Sequence, residues 1–173
     1  MAESQSNRGK VIALLNEARA SELTAILQYM NDHYELEDQD FGKLALMFKQ
    51  IAIQEMRHAE AFAERILFLG GTPTSTPDDT VVKGREIADM LEGSRKLETL
   101  AIDMYNDHAR QCSELNDHIS EQLFKTILGQ EENHYDQFDN VHGHVEKLGA
   151  AYLATLAGGE AEAGAGAQEG GGL

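Results

Sequence analysis

The stretch QEMRHAEAF (Gln54 to Phe62) returns as QEENHYDQF (Gln130 to Phe138), and ELTAILQY (Glu22 to Tyr29) returns as ETLAIDMY (Glu98 to Tyr105). Both pairs share one step, from 54 to 130 and from 22 to 98, a repeat of 76 residues. Glu, Ala, Ile and Tyr survive the step in one segment, and Gln, Glu, His and Phe in the other. Glu22 precedes Glu55 by 33 residues and Glu98 precedes Glu131 by 33, while His58 and His134 each follow a Glu at i+3. Residues three apart on a helix project from one face, about 60° apart. Each Glu-x-x-His therefore presents two donors together, and the helix before it adds one more Glu. Four carboxylates and two imidazoles converge from four helices.

Proline placement agrees. A helix interior tolerates proline badly, at about 3 kcal/mol, and the only two prolines, Pro73 and Pro77, share one short stretch. Residues 1–72 and 78–173 are free to be helical. Apolar residues recur at helical spacing from Val11 to Tyr34 (Leu14, Leu15, Ala18, Leu23, Ile26, Leu27, Met30) before ELEDQDFGK breaks the pattern. A second helix is expected from about Lys43 to Leu69, stopped by Gly70-Gly71. GGTPTSTPDDT is a loop by composition. Two further helices are expected over about Gly84 to Glu114 and Asn116 to Leu148, with a short apolar piece, AAYLATLA, behind Gly149. The expected fold is all-α: a four-helix bundle with one long crossover and a short fifth C-terminal helix. The bundle fills residues 1–157, and 158–173, with seven of the 16 glycines, form a flexible Gly/Ala/Glu tail.

Composition excludes several classes. A net charge of -16, from 30 acidic against 14 basic residues, argues against nucleic acid and against an anionic membrane surface. No run approaches the roughly 18 apolar residues of a membrane span, and the polar start MAESQSNRGK is unlike a signal peptide. The expectation is a soluble, cytoplasmic chain. The single cysteine, Cys112, rules out an internal disulfide and any Cys-pair metal site.

Oxygen and nitrogen donors suit iron or manganese better than a thiolate-rich set would, and two divalent ions would balance four carboxylates. This is the di-metal carboxylate pattern of ferritin-like bundles. Met56 lies about 100° around the helix from Glu55, where His58 lies at about 300°. It points away from the metal-bearing interior, with Ala52, Ala59 and Ala63 as small neighbours. His33, His108, His118, His142 and His144 have no repeat partner and read as solvated.

Over roughly residues 8–157 the chain resembles the bacterioferritins, most closely in IQEMRHAEAFAERILFLGG (Ile53 to Gly71). The resemblance implies an iron-storage ferroxidase that oxidises Fe(II) with O2 or H2O2 and stores ferric mineral in a 24-subunit shell. It assigns Glu22 and Glu98 as terminal iron ligands, Glu55 and Glu131 as bridges, and His58 and His134 as one ligand each. Tyr29 would stand beside the di-iron centre, and Tyr105 would be a structural hydroxyl. Met56 would bind haem iron across a two-fold axis, one Met from each of two subunits, and a ferredoxin-like donor would supply electrons for iron release. Where some members carry a His and an Asp for an inner-surface iron site, this chain has Gln50 and Gln54. The alternatives are a rubrerythrin-like di-iron peroxidase or oxidase without its Cys-pair domain, and a haem electron-transfer protein.

Overall fold

The computed structural model describes residues 2–158, with side chains from residue 6 onward. Helices α1 (Ala2–Asp38), α2 (Gly42–Phe68), α3 (Ile87–Glu114), α4 (His118–Leu148) and α5 (Ala150–Leu156) follow in chain order. Short turns join α1 to α2 and α3 to α4, making two antiparallel pairs, and residues 69–86 cross from one pair to the other. Beyond Gly158 the expected tail lies outside the described residues. No helix among the described residues is long and apolar enough to cross a membrane.

Both tight turns use one device. Asp40 (φ 63°) and Asn116 (φ 60°) take left-handed backbone, 76 residues apart. Phe41 N–H then returns to Leu36 O at 2.9 Å, and Asp117 N–H to Cys112 O at 2.9 Å, closing each helix end. Asp and Asn tolerate this conformation better than bulkier residues. The first helix continues past Tyr34 because Leu36, fully buried, still faces the core. The fourth begins at His118 and not at Asn116, because Asn116 is spent on the turn and Asp117 caps the helix by accepting from Ser120 N–H. The third begins at Ile87 because Gly84 has φ 67°.

The interior holds two apolar clusters. One includes Leu15, Phe62, Tyr105 and Phe124, and the other Tyr29, Phe48, Met90 and Phe138. Each is built on an aromatic triad whose ring centroids lie 5.1–6.1 Å apart: Tyr29, Phe48 and Phe138 in one, Tyr105, Phe124 and Phe62 in the other. A step of 76 exchanges the triads member for member. Polar side chains occupy the band between them.

The crossover is fastened along one face of α1, in steps of one or two helical turns. Asn16 Oδ1 accepts from Thr74 N–H at 2.7 Å, and Thr24 Oγ1 accepts from Asp78 N–H at 3.1 Å. The Gln28 amide exchanges two bonds with the Val82 backbone, at 2.9 and 2.8 Å. Asp32, fully buried, takes Arg85 at 2.6 Å. Extended chain whose own peptide groups do not pair with one another thus finds partners on the helix. Replacing Asp32 by Ala should cost about 2–3 kcal/mol and open residues 72–86 to protease while helicity persists. An unchanged denaturation midpoint would contradict the clamp.

Candidate metal centre

Each helix of the bundle contributes to the polar band. Glu22 comes from α1, Glu55 and His58 from α2, Glu98 from α3, and Glu131 and His134 from α4. All six side chains are buried, none more than 3 % exposed. Donor atoms of Glu22, Glu55, His58 and Glu131 lie within 4.8 Å of one another, as do those of Glu55, Glu98, Glu131 and His134. Glu55 and Glu131 belong to both groups. The structure thus brings together all six residues expected from the repeat, in two overlapping sets.

The contacts are close but poorly satisfied. His58 Nδ1 lies 2.8 Å from Glu55 and 2.9 Å from Glu131. His134 Nδ1 lies 2.9 Å from Glu55 and 3.3 Å from Glu131. Yet both Nδ1 atoms, both Glu55 oxygens and Glu131 Oε1 are buried without a hydrogen-bond partner. Buried polar atoms are nearly always paired. Donors left this way, converging on shared space, fit cations placed between them. Two divalent ions would match four carboxylates in formal charge.

Without metal, protons must take that place. Burial, then the charges of Glu55 and Glu131, push Glu22 and Glu98 well above the usual carboxylate range. Burial opposes charge on His134, but Glu131 and Glu55 outweigh it and hold it up at about 9. His58 is raised in the same way, against burial, by Glu131, Glu22 and Glu55. Burial likewise opposes ionisation of Glu131, yet His134 and His58 bring it down to about 2.

Two tyrosines orient the outer carboxylates. Tyr29 donates to Glu98 Oε1 at 2.5 Å and Tyr105 to Glu22 Oε1 at 2.6 Å, so Tyr105 mirrors Tyr29. The sequence expectation missed one further layer: Gln130 Oε1 lies 2.7 Å from His58 Nε2, and Gln54 Oε1 lies 3.0 Å from His134 Nε2. The signal was present, since Gln is among the residues that survive the repeat. Gln50 is exposed and the Gln54 carbonyl is taken up by His134.

Met56 stands apart from this centre. It is 54 % exposed and lines an outward groove with Leu23, Ile26, Ile53, Arg19 and Arg57. Ala59 and Ala63 line the same groove; Ala52 does not belong to that strip, being fully buried in the core. Two histidines also depart from expectation. His33 is buried, 2.9 Å from Ala45 O, and His108 is buried 3.3 Å from Glu17, with burial lowering its pKa. His142 is half-buried beside Glu92 and Glu146. Only His118 and His144 of the five are exposed. His108 lines an outer pocket with Glu17, Asp78, Asp79 and Asp107. That pocket shares Ser21 and Leu97 with the small cavity against Glu22 and Glu98.

Residues 12–148 match a family model described as a ferritin-like domain. A bacterioferritin of Desulfovibrio desulfuricans is 44% identical over 154 residues, 89% of this chain and 86% of that one. A bacterioferritin of Streptomyces coelicolor is 36% identical over 149 residues, 85% and 89% of the two chains. The crystal structure of the Desulfovibrio desulfuricans bacterioferritin, described with its diiron site in different catalytic states, superposes with a TM-score of 0.90 at 42% identity, covering 96% of this chain and 97% of that one. Mycobacterium tuberculosis bacterioferritin gives 0.82 at 31%, covering 86% and 94%.

The protonated centre has a consequence for stability. A group whose folded pKa is raised stabilises the fold below its unfolded pKa and withdraws that contribution as pH rises through the folded value. For His134 that window runs from 6.5 to about 9, and Glu22 and Glu98 act with the same sign. Glu131 acts in the opposite sense, but its loss comes only as pH falls through about 2. Metal-free protein should therefore lose melting temperature from pH 6.5 to 9, and Zn(II)-loaded protein should not. A flat profile for the metal-free form would contradict the assignment.

Proposed function

The chain belongs to the bacterioferritins, within the ferritin-like proteins, and is an iron-storage ferroxidase; from that premise we propose how its residues divide the work. Glu22 with His58, and Glu98 with His134, would each hold one iron, and Glu55 and Glu131 would bridge the pair. The two overlapping donor groups that share Glu55 and Glu131 carry this reading. Fe(II) is the substrate, and the ions themselves supply the electrons that pass to O2 or H2O2. The protein's part is to hold donor geometry and exclude water. Tyr29 and Tyr105, donating to Glu98 and Glu22, keep one oxygen of each outer carboxylate engaged. The acidic pocket beside Ser21 and Leu97 supports entry of Fe(II) from that side, since clustered carboxylates concentrate cations.

We assign haem to the Met56 groove. An exposed thioether among Leu23, Ile26 and Ile53 suits a flat apolar group carrying an iron. Half the environment comes from each of two copies, so closed two-fold assembly completes it. In this reading such dimers build a cytoplasmic 24-subunit shell around the ferric mineral. A ferredoxin-like protein would be the electron donor for iron release, and haem held by Met56 would supply a redox group there.

Replacing Glu98 by Ala should slow the fast phase of Fe(II) oxidation by at least about 100-fold in stopped-flow absorbance, with far-UV circular dichroism unchanged. Wild-type kinetics would refute the ligand assignment. Replacing Met56 by Leu should abolish the haem absorbance and spare the initial oxidation rate. A normal haem spectrum in that variant would remove Met56 as ligand.

A further inference from the structure

We propose that Gln54 and Gln130 are positioning residues that lock both metal-facing imidazoles in one tautomer, each acting from the helix opposite its histidine. The proposal rests on the reading of the six buried residues as metal ligands. Gln130, on α4, meets His58 of α2 at 2.7 Å, and Gln54, on α2, meets His134 of α4 at 3.0 Å. The cross-pairing follows from helix geometry. Each Gln sits one residue before a bridging Glu, about 100° around its helix. While Glu131 points inward between the two donor groups, Gln130 turns toward α2, and Gln54 does the same toward α4.

A neutral imidazole carries a proton on one nitrogen and a lone pair on the other. Gln Oε1 accepts only, so the nitrogen facing it, Nε2, bears the proton and donates. Once an ion displaces the proton that the metal-free centre holds, the lone pair is thereby left on Nδ1, the atom that lies against Glu55 and Glu131 without a hydrogen-bond partner. With the amide reversed, a Gln N–H would point at Nε2 and force the proton onto Nδ1, removing the lone pair an ion requires. Outer partners of this kind orient ligating histidines and raise their basicity. A glutamine does so without charge, which leaves the balance of four carboxylates against two divalent ions undisturbed.

Substitution separates these roles. Co(II) titrated into the metal-free assembly, followed by calorimetry and by its visible ligand-field bands, reads binding without turnover. Gln130→Leu removes the acceptor and should weaken Co(II) binding by about 10–100-fold, with a changed ligand-field spectrum and a lowered metal-free melting temperature that Gln130→Glu restores. Gln130→Glu keeps an acceptor and loses the donor, so it should restore near wild-type affinity. Gln54→Leu and Gln54→Glu should behave alike at the other ion. Wild-type affinity and spectrum in both Leu variants would overturn the proposal, as would loss of binding in both Glu variants, which would show that the amide donates. A lowered melting temperature in the Leu variants that Glu does not rescue would mean a packing role and also overturn it. Glu55→Ala distinguishes the underlying reading: Co(II) binding unaffected by that change would refute the ligand set itself.

Discussion

Four carboxylates buried within a few ångströms of one another cannot all be charged in a dry interior unless something positive joins them. That constraint organises the molecule. Protein cations are scarce, with 14 basic residues against 30 acidic, and none of the lysines or arginines enters the polar band. The positive partners available inside are two imidazoles, and protons shared among Glu22, Glu98 and the histidines make up the rest in the metal-free state. Divalent ions satisfy the same need with fixed charge and directional bonds. The centre is thus a place where the fold leaves its own electrostatics incomplete.

The solution is made twice and closed on itself. Each half supplies a Glu from one helix, a Glu and a His from the next, a Tyr to hold the other half's outer Glu, and a Gln to hold the other half's His. The turn residues Asp40 and Asn116 and the two aromatic triads obey the same exchange. The Tyr and Gln links all run between halves, so neither half is chemically complete alone. The apolar triads cap the polar band at both ends and keep bulk water from it, which strengthens each interaction within. The crossover departs from the symmetry, and its polar ladder to α1 is correspondingly irregular.

Much of this was legible in the sequence because a helical repeat turns spacing into direction. Glu-x-x-His at 55–58 and 131–134 can face only one way relative to Leu and Phe neighbours, and two prolines at 73 and 77 mark the crossover. What escaped was chemistry set by partners far apart in the chain. Gln54 was read only against an inner-surface iron site and Gln130 was given no role, because their contacts to His134 and His58 exist only when α2 and α4 face each other. His33 and His108 looked solvated because their burial is decided by α2, and by the packing of α1 against α3. Ala52, close to Met56 in helical angle, falls just inside the edge of the core. The helix starts at 87 and 118 were set by the left-handed backbone at Gly84 and at Asn116, neither of which leaves a periodic trace.

The most direct test of the central claim is anomalous diffraction at the iron edge from crystals loaded anaerobically with Fe(II). Two iron peaks are expected in every chain, about 3.5–4 Å apart, with Glu55 and Glu131 spanning both and one histidine Nδ1 on each. A single peak, or two peaks outside the space enclosed by these six residues, would contradict it.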